Sequence, residues 1–267
     1  MFVDELKRTF RRPRNLVVLG LIALVPVLLG IVVKTLGSRG GNGGGPPFFS
    51  QLTQNPVFLS LVALTTMETF LIPLAVSLIA GDSVSGEAST GALRYLLVAP
   101  LGRGRLLAIK MAAALIYTVV AVLIIAIVGG LTGTILFHIG PIVTLSGTTV
   151  SNLTGVVLTL EAALVVGISM FSIVGVGVFV STVTDSSAAA SAVAVAVAVI
   201  SEILGQIPQL IHIRPLLPSN YWGSYIDLFR SPQVLHNVKL DILEQAIWLG
   251  VTFIAAWINF RGKDIFS

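Results

Sequence analysis

The chain has 267 residues, of which 55% are hydrophobic and only 10% charged, and its mean hydropathy is +0.97. A soluble domain of this size carries about 25% charged residues, so this composition excludes a water-soluble globular protein and predicts a polytopic membrane protein. Cysteine is absent, which removes disulfides, thiolate metal sites and cysteine nucleophiles. The net charge of +4 gathers at the ends of apolar runs, not along one solvated face, so it orients a membrane protein and predicts no nucleic-acid partner.

Met1 to Arg14 carries Lys7, Arg8, Arg11, Arg12 and Arg14 beside Asp4 and Glu5, with Phe2, Leu6 and Phe10 at fourfold spacing. That pattern predicts an interfacial elbow helix over 1–14. The apolar run 16–36 is about 31 Å long as a helix, close to the hydrocarbon thickness of a bilayer, and reads as an uncleaved first span. Gly37 to Pro47 predicts an outer loop. Its glycines lead into Pro46 and Pro47 instead of a Gly-Lys-Ser/Thr at a helix start, so it is no phosphate cradle.

A second span is expected over about 57–80, with Glu68 near mid-depth and Pro73 after it. The third, about 106–137, is too long for one perpendicular helix and is expected to tilt, to break at Gly129, Gly130 and Gly133, or to extend beyond the membrane. After a short outer loop, the fourth span covers about 156–181. The fifth, 188–204, alternates alanine and valine like a strand, but a lone strand in hydrocarbon leaves its backbone unpaired, so a helix is expected. An outer segment, 205–241, contains the aromatic cluster Tyr221, Trp222 and Tyr225; Trp222 and Tyr225 are expected with Trp257 to act as interfacial anchors. The sixth span is about 242–260. The expected fold is all-α, one transmembrane domain over 1–267. Lys and Arg number eleven on the side of the termini and five on the other, which predicts cytoplasmic termini.

Between the second and third spans lies the most polar stretch, Gly81 to Lys110, GDSVSGEASTGALRYLLVAPLGRGRLLAIK. Ser89 or Thr90 suits a helix cap, Leu93, Leu96 and Leu97 share one face, Arg94 points elsewhere, and Pro100 ends the turn. This predicts a short amphipathic helix at the membrane surface, with Arg94, Arg103 and Arg105 pairing with acids or lipid phosphate.

Here the sequence resembles the permease subunits of ATP-binding cassette type-2 exporters. The resemblance is carried by Glu87, Gly91, Leu93, Leu96, Leu97, Pro100, Arg103 and Lys110, with the elbow, the six spans and the outer segment before the last span. It departs at Ala92, where threonine is usual, and at Gly102. The resemblance implies a dimer of permeases, identical or different, in a prokaryotic inner membrane. It also implies a cytoplasmic ATPase partner that carries ATP and magnesium, with no cofactor on this chain, coupled through the 81–110 loop and its Arg94 among the residues above.

Three intramembrane acids are pathway candidates. Glu68 is either hydrogen-bonded to Thr65, Thr66 or a serine of another span, or contacts a cation or substrate, because an ionised carboxylate at mid-bilayer is costly without a partner. Glu161 and Glu202 are expected near the outer boundary, as an acidic exit or as acids reaching interfacial water. The pairs Gly129/Gly133, Ala163/Gly167 and Gly177/Ser181 are expected to be packing faces. The histidines lie in outer segments without ligand spacing, so no metal site is expected. No catalytic residue is expected, since Gly-x-Ser-x-Gly is absent. The alternatives to an exporter subunit are a proton-coupled secondary transporter using Glu68, or a membrane scaffold without a pathway.

Overall fold

A computed structural model describes residues 1–39, 56–89, 102–137, 142–143 and 149–262. The expected coupling-helix residues Gly91, Leu93, Arg94, Leu96, Leu97 and Pro100 lie outside the described residues. The chain is an all-α polytopic membrane protein. Helix α1 (Phe2–Arg11) turns at Arg12 into α2 (Pro13–Arg39), with Pro13 at the first helical position, where its missing N–H costs nothing. Then follow α3 (Pro56–Glu68), α4 (Leu71–Asp82), α5 (Ser85–Ser89) and α6 (Arg103–Leu136). A two-residue pairing of β1 (Ile142–Val143) with β2 (Thr149–Val150) precedes α7 (Asn152–Ser169), α8 (Phe171–Val183), α9 (Ser187–Gly205) and α10 (His236–Gly262).

Among the described residues, five spans are long and apolar enough to cross a bilayer, α7 and α8 together forming one; counting the bent α3–α4 pair makes six. That pair corrects the expectation of one straight second span, because its halves meet at 59°. Pro73 has no N–H to bond the Thr69 carbonyl and its ring crowds that position, so regular bonding resumes only with Leu74 N–H to Phe70 O at 3.0 Å. The fourth span is interrupted at Met170, and it begins at Asn152, where Ser151 caps the Thr154 N–H at 3.2 Å. The third span is one unbroken helix of 34 residues, about 51 Å at 1.5 Å per residue. Its glycines do not break it.

Those glycines pack instead. A Cβ on Gly129 would sit 2.8 Å from the Ser60 Cα, so α3 lies directly on α6 there, and Ser60 Oγ donates to Ala126 O at 2.8 Å. Gly167 brings α7 onto Val119 of α6, Gly177 brings α8 onto Ala80, and Gly81 brings α4 onto the Ser191 backbone of α9. Close backbone approach of this kind replaces the hydrophobic drive that hydrocarbon cannot supply. The alanines of α9 serve the same end: Ala190, Ala194 and Ala198 are buried, whereas Val193 and Ile200 are exposed. The chain turns its aliphatic side chains outward, as Leu21, Leu28, Leu243, Ile247 and Val251 show, and buries Glu68, Asp241, Glu244 and Gln245.

The aromatic outer segment corrects a second expectation. Trp222 and Tyr225 are core residues, not interfacial anchors, because the turn Trp222–Phe229 folds back against α7 and α10. The Tyr225 hydroxyl donates to Thr65 Oγ1 at 2.9 Å. Only Trp257 keeps substantial exposure.

Candidate functional site

One end of the bundle collects the elbow, residues 81–89 and 102–110, the α8–α9 turn and the end of α10. Two interactions place the loop's start. Ser181 Oγ of α8 accepts the Val84 and Ser85 N–H groups at 3.0 and 2.8 Å, satisfying donors that a helix start leaves free, and Ser85 Oγ donates to Gly81 O at 2.6 Å. Helix α5 then turns Glu87 inward, with 1% of its side chain exposed.

Glu87 is the centre of an ion-pair network. Lys110 Nζ, equally buried at the start of the third span, lies 2.6 Å from Glu87 Oε2 and 3.1 Å from Glu5 Oε1 of the elbow. Arg8 Nη1 and Arg12 Nη2 of the elbow reach Glu87 Oε1 at 2.8 and 3.5 Å. Arg12 also holds Asp82 at 2.8 Å, and Arg14 holds it at 3.3 Å while donating to Leu78 O at 2.9 Å. Glu87 and Lys110 can be buried because each has partners of opposite sign, and either one left wholly without them would be stranded at several kcal/mol; Arg8, Arg12 and Arg14 keep part of their side chains in solvent. Beside them, Asn15 Nδ2 donates to Thr9 O at 2.7 Å, and Tyr117 donates to Asn15 O at 2.8 Å with its ring against Phe10.

Arg103 behaves differently from expectation. Its Nη1 donates to the carbonyls of Phe260 and Arg261 at 3.3 and 2.8 Å, so a cation sits where the negative end of the sixth span's dipole lies. Arg105 is exposed. Residues 81–89 and 102–110 are thereby tied to the first, third, fourth and sixth spans. The sequence singles out Glu87, Arg103 and Lys110, but neither the elbow partners of Glu87 and Lys110 nor the sixth-span carbonyls that Arg103 meets.

The opposite half of the bundle holds the acids. Glu68 is 6% exposed, at the C-terminal end of α3, and its Oε1 has no hydrogen-bond partner among the described residues. Thr65, one expected partner, donates to Leu61 O and accepts from Tyr225. The Tyr225 hydroxyl lies within reach of the Glu68 carboxyl, and Asp241 and Glu202 are its like-charged neighbours. Glu161 is exposed on α7. Asp241, expected to end the outer loop, is fully buried because α10 begins at His236. It accepts from Ser169 Oγ at 2.6 Å, from Gln245 Nε2 at 3.2 Å and from Ser224 Oγ at 3.4 Å. Gln245 accepts the Ser172 N–H at 3.0 Å, a donor freed by the break at Met170, and donates to Pro218 O of the outer segment at 3.1 Å. The missed signal was the spacing of Asp241, Glu244 and Gln245, which places all three on one helical face. Among the described residues no group of three His, Asp or Glu side chains is arranged to hold a metal ion.

Residues 42–266 match the family described as "Protein of unknown function (DUF2705)". The chain belongs to that family. A segment of this DUF2705 chain is also similar to the "Probable ABC transporter permease protein NosY" of Pseudomonas aeruginosa, 48% identical over 48 residues. The match covers 18% of each protein, so the DUF2705 chain spans about a fifth of that curated relative's length.

Proposed function

We propose that the chain is the membrane-spanning subunit of an ATP-driven exporter, a single permease domain over 1–267 working as a dimer in a prokaryotic inner membrane. Its termini and the 81–110 loop face the cytoplasm, and ATP and magnesium are handled by a separate ATPase chain. The observation that carries this reading is Glu87 clasped by Lys110, Arg8 and Arg12. The loop that the resemblance assigns to ATPase contact is wired by buried charges to the elbow and the third span, so a push there moves helices and not a solvated connector. The match to part of a permease supports the same direction, as does the basic bias of that end. Gly91, Leu93, Arg94, Leu96, Leu97 and Pro100 would form the contact face.

The test is purification of the tagged chain in mild detergent, with mass spectrometry of what accompanies it and an ATPase assay. A stoichiometric ATP-binding subunit, lost when Leu96 and Leu97 are changed to Asp, is the expected result. The chain recovered alone and without ATPase activity in several detergents would sink the proposal. It would favour the proton-coupled reading, for which the unpartnered Glu68 Oε1 is the specific support.

A further inference from the structure

Helix α10 has two faces of opposite character. Leu243, Ile247 and Val251 are exposed, while Asp241, Gln245 and Thr252 face the bundle. Glu244 lies at the border between them, beside a groove of about 520 Å³ that α10 forms with the outer segment. The groove is walled by Leu216, Leu243, Ile247, Tyr221 and Trp248, and Glu244 is the one carboxylate in its lining.

The carboxylate of Glu244 is out of place by every ordinary criterion. The residue is 8% exposed, and neither of its oxygens has a hydrogen-bond partner among the described residues. Its nearest charged influence is Asp241, which has the same sign. Asp241 shows what a settled buried acid looks like, because three side chains donate to it. A carboxyl with no donor in hydrocarbon surroundings is several kcal/mol less favourable than one with a partner. The missing partner must bring N–H donors and positive charge, and its remaining body must suit an apolar wall.

We infer that this groove binds a cationic amphiphile, a primary or secondary ammonium on a hydrocarbon body, with the Glu244 carboxyl, whose oxygens are closed to the groove in this structure, turning toward it to accept from the ammonium and the hydrocarbon lying along Leu216, Leu243 and Ile247. Tyr221 and Trp248 offer aromatic faces, which attract an ammonium through their quadrupoles. Charge complementarity selects this occupant over a neutral lipid, since an acyl chain fills the groove but leaves both Glu244 oxygens unpaired. It selects it over a quaternary ammonium too, which has no N–H to give. Resting on the transport reading above, the assignment makes such amphiphiles the substrate class.

The test uses the full chain in phosphatidylcholine nanodiscs with radiolabelled dodecylamine, counted against empty discs, and dodecanol as competitor. Saturable binding above the empty discs is expected, not displaced by equimolar dodecanol, weakened at least tenfold by Glu244→Gln and retained by Glu244→Asp. Ile247→Trp, which fills the groove but keeps the carboxylate, should weaken amine binding as well, so the result does not hang on one variant. No saturable binding to the wild-type chain, equal binding by Glu244→Gln, or equal binding of dodecanol would overturn the assignment. Because no ATPase is needed, the outcome is separable from the exporter reading. Amine binding without an ATPase partner would keep the site and remove the exporter, whereas an ATPase partner without amine binding would do the reverse.

Discussion

Lys110 and Glu87 meet at 2.6 Å with 1% of either side chain exposed, one from the start of the third span and the other from the loop before it. Lys110→Met should therefore be clearly destabilising, though by less than the about 3–5 kcal/mol of a buried charge left wholly unpaired, because Arg8 and Arg12 still hold Glu87 Oε1. Arg8→Gln should cost under about 1 kcal/mol, because Arg8 is 44% exposed and its pair is screened. Thermal unfolding in detergent should rank the two variants in that order, with the double variant Glu87→Gln/Lys110→Met recovering part of the loss. Equal midpoints for the two single variants would show that the clasp is not a buried unit.

The contact between α4 and α9 gives a second prediction. A Cβ on Gly81 would lie 2.4 Å from Ser191 Oγ and 2.5 Å from its backbone N, and backbone cannot swing aside. Gly81→Ala should destabilise by about 1–3 kcal/mol through overpacking. Gly20→Ala, with nothing within 4 Å, should be neutral or stabilising by up to about 1 kcal/mol from helix propensity. Denaturation midpoints of the two variants decide it.

Gln245 is predicted to hold the break in the fourth span. Gln245→Leu removes the acceptor of the Ser172 N–H and the donor to Pro218 O, at a cost of about 1–3 kcal/mol for each group left buried and unsatisfied. Hydrogen exchange at the Ser172 amide should accelerate, while Gln245→Glu, which keeps an acceptor, should preserve its protection. Unchanged protection in the leucine variant would mean that the break is fixed by other contacts.

Glu68→Gln separates the two transport readings. In an ATP-driven exporter the substitution keeps the side chain's shape and relieves an acid that lacks a partner at Oε1, so transport should stay within about twofold and stability should rise or hold. In a proton-coupled transporter the same variant should lose coupled transport outright. Reconstituted vesicles with and without an imposed pH gradient distinguish these outcomes.

The candidate sites were legible to different depths. Glu87, Arg103 and Lys110 stood out as ions beside hydrocarbon, yet nothing in their neighbourhood named Arg8, Arg12 or Glu5 as partners, nor the Phe260 carbonyl as the target of Arg103. Glu68 was visible as an intramembrane acid. Asp241 was not, because the expected outer segment includes it while the helix begins at His236; Glu244 falls within the expected sixth span, but its lack of a partner shows only in the packed bundle. Polar residues at a span's entrance look like loop until the neighbours that bury them are in place.

By itself the sequence determined the class, all-α and polytopic, and a helix in place of a strand for the alternating alanine–valine segment, Ser187–Gly205. Hydrocarbon imposes those outcomes locally, since every backbone group there must bond within its own helix. The break before Pro73 is local too, as its ring acts on a carbonyl four residues earlier. Only tertiary structure decided the break at Met170, the burial of Trp222 and Tyr225, and the charge clasp. Each depends on a partner far along the chain, Gln245, Thr65 or the elbow, and the energy of such pairs depends on distance and burial, which residue order does not encode.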